Sequence, residues 1–340
     1  MSERRLRVVQ WTTGNVGRRS VRAVVAHPDL ELVGCYAWSP DKVGRDVGEL
    51  CGIDPIGITA TDDVDALLAL RPDCVSYMAY RPDFDHLERI LASGANVVTT
   101  MYMLSGHGYG EEPTARLAAA AERGGSSLYA SGIYPGHAPM VALATSAMCT
   151  RIERISILES LDITGYANEK MFRAQGFDRE LDDPEVPQLV EGSCGSFKDQ
   201  IAVMARALGV ELEGIAFRAE LAAANAETDF GFMTVGKGRI AGFQGVISGI
   251  VDGRSMIECR FVWKLGSDMT PDWPVTNGYV IEIEGEPAVR CRIEPLEGHL
   301  DGAVTTAMPA VNAIPAVCAA PPGIVNRMEL PFVRGAHTLR

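Results

Sequence analysis

Gly14 and Gly17, in the run Val8-Val9-Gln10-Trp11-Thr12-Thr13-Gly14-Asn15-Val16-Gly17, have the spacing in this chain that most directly implies a ligand. Where a strand turns into a helix, glycines let backbone N–H groups approach a pyrophosphate at the positive end of the helix. Thr12, Thr13, Gly14, Asn15, Val16 and Gly17 would then hold a dinucleotide. The pattern is incomplete. The first two glycine positions of G-x-G-x-x-G fall on Thr12 and Gly14, and a G-x-x-G-x-x-G variant would start at Trp11. An ordinary glycine turn is the competing reading, and a β-α-β setting weighs against it.

Beyond the second apolar run, in Tyr36-Ala37-Trp38-Ser39-Pro40-Asp41-Lys42, no acid stands at the strand end where an NAD-selective site places a carboxylate against the ribose. Ser39, Lys42 and Arg45 are suited to a 2′-phosphate, which favours NADP, while Asp41 leaves NAD open. Solvated helix-face charge is the other reading of Lys42 and Arg45.

Residues able to move a proton lie further on. Tyr102 falls just past the fifth strand, where a phenol would donate a hydrogen bond to a carbonyl oxygen, its ordinary pKa near 10 making it an acid rather than a base. His107 sits in the glycine-rich Ser105-Gly106-His107-Gly108-Tyr109-Gly110, a loop that could close over substrate, and His137 follows Tyr134-Pro135-Gly136; the competing reading of His107 is a surface loop histidine. Glu159 and Asp162 end a strand-like run. Met171, Phe172 and Phe177 line an apolar pocket or pack a core, and Met103 and Tyr166 belong with the pocket set. Six histidines without H-x-x-x-H spacing, and eight cysteines without a C-x-x-C pair, suggest no metal.

The elements that must position these groups change grammar along the chain. Up to about residue 135, six short apolar runs, Leu6 to Gln10, Leu30 to Ala37, Gly57 to Ala60, Cys74 to Met78, Asn96 to Thr99 and Ser127 to Ser131, alternate with helical stretches such as Asp63 to Leu70 and Thr114 to Arg123. Such a pattern predicts an α/β Rossmann-type parallel sheet. Asp62-Asp63 and Pro82-Asp83 are helix starts, and Gly94 and Gly124-Gly125 are stops. Then come a strand-like run Ile152 to Ile163, a helical stretch Phe197 to Leu208, and β-rich segments Gly214 to Leu221, Gly245 to Asp252, Met256 to Leu265 and Tyr279 to Glu284. These predict an α+β domain on a mostly antiparallel sheet, whose face would roof a substrate cleft. Leu300 to Val317 reads as a helix returning to the first domain, ended by Pro321-Pro322-Gly323. The expected division is 1–145, 146–299 and 300–340.

At 340 residues, two domains are the default. A formal charge of −13 repels phosphodiester polymers and anionic lipid, which argues against nucleic-acid or membrane partners and leaves small ligands. The dispersed cysteines read as buried reduced thiols, the start carries no secretory signal pattern and no run is long and apolar enough to span a bilayer, so a cytoplasmic location is expected.

With these segments in view, the chain resembles the dihydrodipicolinate reductase-like superfamily, in particular its branch of 2,4-diaminopentanoate dehydrogenase and the native amine dehydrogenases. The resemblance rests on Trp11 to Gly17, Ala37 to Asp46, Asn96-Val97-Val98-Thr99-Thr100, Ser131 to Gly136 and Val311-Asn312-Ala313-Ile314-Pro315, in the same order over nearly the whole chain. It implies a Rossmann domain, a second domain forming a homodimer interface, and reversible reductive amination of a small ketone or aldehyde with ammonia and NAD(P)H. It also implies that Gly132, Tyr134 and His137 lie toward the nicotinamide. The paired histidines with a nearby lysine of dihydrodipicolinate reductase have no counterpart. Relatives carry an acid just after the Thr-Thr segment, and here Tyr102 or Met103 stands there; Asp162, in a strand where the family also has an acid, is the candidate to replace it, beside Tyr102 and His107. A carbonyl or imine reductase on the same scaffold, and a non-catalytic nicotinamide sensor, are the rival functions.

Overall fold

The structure, a computed structural model, describes residues 4–101 and 105–338. The chain divides into two compact units, one of residues up to His137 together with those from Asp301 onward, the other Ala138–Leu300.

In the first unit the chain alternates β1 (Leu6–Trp11), α1 (Asn15–Ala26), β2 (Leu30–Tyr36), α2 (Val47–Cys51), β3 (Ala60–Thr61), α3 (Val64–Ala69), β4 (Cys74–Tyr77), α4 (Phe84–Ala92), β5 (Asn96–Thr99), α5 (Glu111–Gly124) and β6 (Ser127–Ala130). The strands pair in parallel in the order Gly323–Ile324, β6, β5, β4, β1, β2, β3. Successive residues feed opposite faces. Val8 packs with Val21, Val24, Leu30 and the returning residues Ala310, Ile314 and Val317, while Val9 packs with Leu67, Val75, Leu87, Ile90 and Leu117. Burial on both sides is why these strands read as continuous apolar runs. Asp63 and Asp83 cap α3 and α4 by accepting the backbone N–H groups of Ala66 and His86, and Gly125 ends α5 in the left-handed conformation.

Two local expectations are corrected and a third is extended. Gly57 to Ala60 was expected as a strand, but β3 covers Ala60–Thr61 alone, because Gly57 has φ +75° and its N–H is taken by the Asp46 carboxylate. The tail forms two helices, Gly302–Val311 and Ile314–Cys318, since Pro315 has no N–H to continue the ladder. Pro321-Pro322-Gly323 does end the helical segment, but it also leads into a seventh strand, Gly323–Ile324, beside Ser127 and Leu128 of β6.

The second unit is built on a sheet of Met269–Thr270, Gly214–Ala224, Ile240–Val251, Arg254–Lys264, Arg151–Asp162, Gly278–Glu286 and Val289–Ile293, in that spatial order. Neighbours are antiparallel except Arg254–Lys264 with Arg151–Asp162. Asp252 and Gly253, both at positive φ, make the tight turn between two long strands that an Asp-Gly pair favours. Strand alternation sets the faces. A Cβ at Gly249 would lie 2.7 Å from Ile201 of the helix Gly195–Leu208, so the face of Gly249, Ile247 and Gly245 is the helix-covered one. Register carries Phe261 and Glu159 onto that same face. This is the α+β unit expected from the sequence, beside a Rossmann-type parallel sheet.

Candidate functional site

The first sheet reverses its winding between β1 and β4, and ligands of open α/β sheets bind beyond the carboxyl ends of strands at such a switch. Thr12 pins the chain there. It has φ +69°, its N–H donates to Tyr36 O at 2.9 Å, and its hydroxyl donates to Met78 O at 3.1 Å. Gln10, fully buried, donates from its amide nitrogen to Thr12 O at 3.0 Å. The turn is thereby held from β1, β2 and the end of β4 together. Trp11 stacks between Tyr36 and Tyr77 at 4.2 and 5.8 Å, an aromatic ladder across the same strand ends.

The two glycines differ in what requires them. A Cβ at Gly17 would lie 2.3 Å from Thr12 O, so the loop and α1 could not close with any larger residue. Gly14, at φ −71°, has nothing within 4 Å of its would-be Cβ. The packing of the chain itself does not require glycine there. That first turn carries no acid, and the buried hydroxyl of Thr13 has no partner among the described residues. The site therefore fits a pyrophosphate, with Thr12 to Gly17 around it.

At the end of β2, Trp38 is 68% exposed. Ser39 donates to the Asp41 carboxylate, a bond that is the leading cause holding Asp41 below its ordinary value. Lys42 reaches Thr13 O at 3.4 Å, and Arg45 is exposed.

Past β6, the turn Ser131–His137 is tied by Arg327 from the C-terminal segment. This guanidinium, 8% exposed, donates to Gly136 O and the Ser131 hydroxyl, and to the Tyr129 hydroxyl at 3.2 Å. Burial first, and then this cation, push the His137 imidazole toward its neutral form. Gly132 and half-buried Tyr134 sit in the same turn. Nothing in the sequence pattern points to Arg327, which lies 191 residues along the chain from its acceptor Gly136. His107 is exposed on the loop before α5, and Tyr102 and Met103 lie outside the described residues.

In the second unit, the expectation that Asp162 is the catalytic acid meets a competing use. Asp162 Oδ1 accepts the Thr164 N–H at 3.0 Å and the Thr164 hydroxyl, closing a local turn. Phe172 and Phe177, expected at a pocket, are fully buried and pack on each other and on Phe232 and Phe243, so core packing uses their surfaces. Met171 and Tyr166 remain half-buried. The acid that stands out is Glu159. It is 6% exposed, and accepts from the Tyr279 hydroxyl at 2.8 Å and the Trp263 indole N–H at 2.6 Å. Burial raises it to about 7, against the lowering effect of those two bonds. Its inward-facing strand position was legible; its pairing with two distant aromatic donors was not.

Gly17→Ala should raise the nicotinamide cofactor Kd at least about tenfold and lower the melting temperature, whereas Gly14→Ala should melt as the parent does while still losing affinity, by calorimetry and thermal unfolding. Glu159 sets a pH dependence. An acid raised above its ordinary value binds its proton more tightly in the folded chain, so its contribution is full below about 4.5 and lost as pH rises through about 7. Stability should fall by up to about 3 kcal/mol over that window, and Glu159→Gln should flatten this part of the curve in urea titrations.

Residues 139–338 match the 2,4-diaminopentanoate dehydrogenase C-terminal domain, and residues 8–100 match the dihydrodipicolinate reductase N-terminus. An amine dehydrogenase of Streptomyces virginiae is 36% identical over 354 aligned residues, covering 95% of this chain and 96% of that protein. A 4-hydroxy-tetrahydrodipicolinate reductase of Synechococcus elongatus is 30% identical over 105 residues, covering 27% of this chain and 36% of that one. Among solved structures, an amine dehydrogenase from Mycobacterium smegmatis superposes with a TM-score of 0.81 at 24% identity, covering 97% of both chains, which shows a shared fold. The chain thus belongs to the amine dehydrogenase family, with a 2,4-diaminopentanoate dehydrogenase C-terminal domain behind a dihydrodipicolinate reductase N-terminus, and is a nicotinamide-dependent oxidoreductase.

Proposed function

We propose that the protein is an amine dehydrogenase acting on a small ketone or aldehyde: carbonyl compound, ammonium and NAD(P)H give amine, water and NAD(P)+, reversibly. The observation that carries this reading is the 36% identity to an amine dehydrogenase across 95% of the chain. The nicotinamide supplies or accepts the hydride. The chain's own residues bind, orient and exclude water. Thr12 to Gly17 hold the pyrophosphate, Gly132 and Tyr134 serve the nicotinamide half on a turn fixed by Arg327, and Tyr102 and His107 donate hydrogen bonds to the substrate oxygen. Met103, His137, Tyr166 and Met171 bound the substrate. NADP is the preferred cofactor, supported by Ser39, Lys42 and Arg45 and by the lack of an acid between Tyr36 and Pro40.

Among the described residues no helix is long and apolar enough to cross a membrane. All eight cysteines are free thiols, which supports a reducing, cytoplasmic setting. Half-exposed Leu158, Val246, Ile250 and Val280, on the sheet face opposite Glu159, support a homodimer built on that face, and a monomeric sedimentation profile at micromolar concentration would remove it. Carbonyl reduction without ammonia is the second reading, favoured by Tyr102 and Met103 standing where relatives have an acid.

One assay separates the two: oxidation of NADPH or NADH with a panel of ketones and aldehydes, with and without ammonium. The expected result is turnover that falls at least about tenfold when ammonium is omitted, with a lower KM for NADPH than for NADH. Turnover unchanged without ammonium overturns the amine reading, and tighter use of NADH overturns the cofactor preference.

A further inference from the structure

An aromatic ring left in water forgoes the burial of roughly 150–250 Å2 of surface. Among the described residues three large aromatic side chains stand exposed, Trp38 at 68%, Tyr80 at 57% and Phe332 at 75%. Two of them belong to the carboxyl edge of the first sheet. Trp38 comes two residues after the end of β2 and Tyr80 three residues after the end of β4, and β2 and β4 are the two neighbours of β1. The two rings are therefore carried by the loops on either side of the turn Thr12 to Gly17.

Both loops leave the sheet from fixed points. The Ala37 N–H donates to Thr61 O at 2.9 Å, and the Met78 N–H donates to Trp11 O at 3.1 Å. The chain is thus held up to the residue before Trp38 and to within two residues of Tyr80. Neighbouring strands lie about 4.8 Å apart, so β2 and β4, one on each side of β1, end about 10 Å apart. A flat ring with an aromatic side chain on each face needs about 3.5 Å to each, roughly 7 Å in all, which that span admits. Trp11, Tyr36 and Tyr77, at the ends of the same strands, stack on one another, with Trp11 at 4.2 Å from Tyr36 and 5.8 Å from Tyr77. Trp38 and Tyr80 meet no other aromatic ring among the described residues.

The turn between the loops says what these rings are for. A dinucleotide whose pyrophosphate lies at the N-terminus of α1, where the buried Thr13 hydroxyl has no partner among the described residues, places its adenosine at the end of β2. Cations stand beside both rings: Lys42 reaches Thr13 O at 3.4 Å, and the Arg81 guanidinium lies 6.0 Å from the Tyr80 ring centroid.

We propose that Trp38 and Tyr80 form an aromatic clamp that stacks on the two faces of the adenine of the nicotinamide dinucleotide. Both NAD and NADP carry this base, so the clamp contributes affinity without choosing between them. It is also independent of whether ammonium is used, and rests on the dinucleotide site at Thr12 to Gly17 alone.

Fluorescence and calorimetry with ADP-ribose and its 2′-phosphate, which carry the adenine half without the nicotinamide, test the clamp. Nicotinamide mononucleotide is the control that lacks adenine. An adenine probe should quench tryptophan emission in the parent, and that quench should be lost in Trp38→Phe. Trp38→Ala and Tyr80→Ala should each weaken adenine-probe binding at least about tenfold, the scale of base stacking on an aromatic side chain, while Trp38→Phe and Tyr80→Phe stay within about threefold. Nicotinamide mononucleotide affinity should hold within about twofold in all four. Because both positions are exposed, the variants should melt with the parent. An alanine variant at either position that keeps adenine-probe affinity within about twofold, or that loses nicotinamide mononucleotide affinity in parallel, overturns the clamp, as does a quench unchanged in Trp38→Phe. A parent that binds neither adenine probe overturns the dinucleotide site itself and the clamp with it.

Discussion

The first unit depends on how closely the Thr12 carbonyl lies beneath α1. At that point the chain leaves β1 with φ +69°, is bonded to the ends of β2 and β4, and passes so near Gly17 that only a hydrogen fits. These constraints aim the N-terminus of a twelve-residue helix at the switch point of the sheet. A helix end so placed is an anion site before any ligand arrives, because its first N–H groups have no intrahelical acceptor. At Gly14, by contrast, no atom of the chain lies within 4 Å of where a Cβ would stand.

Two buried charges work differently in the two units. Arg327 is surrounded by neutral acceptors, a carbonyl and two hydroxyls, and anchors a turn from the far end of the sequence. Glu159 is bonded by neutral donors, the Trp263 indole and the Tyr279 hydroxyl, from two neighbouring strands. Both pay a desolvation cost for which no opposite charge compensates among their bonded partners. For Arg327 that cost is offset by three hydrogen bonds, and the residue is structural. For Glu159 burial shifts the balance toward the protonated acid, against the two hydrogen bonds that favour the carboxylate.

Legibility followed the range of the interaction. The strand runs Leu6 to Gln10 and Asn96 to Thr99, the caps Asp63 and Asp83, and the Gly125 stop were visible because periodicity, capping and left-handed glycine are decided within a few residues. The two-residue β3 was overextended because Gly57 looks apolar-run-compatible until the Asp46 carboxylate claims its N–H. Of two acids three residues apart, strand alternation puts Glu159 and not Asp162 on the helix-covered face, a distinction that needs the sheet's neighbours and not spacing alone.

The sequence by itself therefore determined the strand-helix alternation, the glycine pair at the first turn, and the family to which the segments from Trp11 to Pro315 point, since each is written in local order and spacing. Tertiary structure alone decided that the fold requires glycine at Gly17 and leaves a Cβ at Gly14 uncrowded, that Gly323–Ile324 completes the sheet, and that Arg327 clamps Ser131 and Gly136. It also decided that Glu159 meets Trp263 and Tyr279 across 104 and 120 residues. Such pairings depend on which strands become neighbours and in what register, and a chain read from end to end carries no local signal of either.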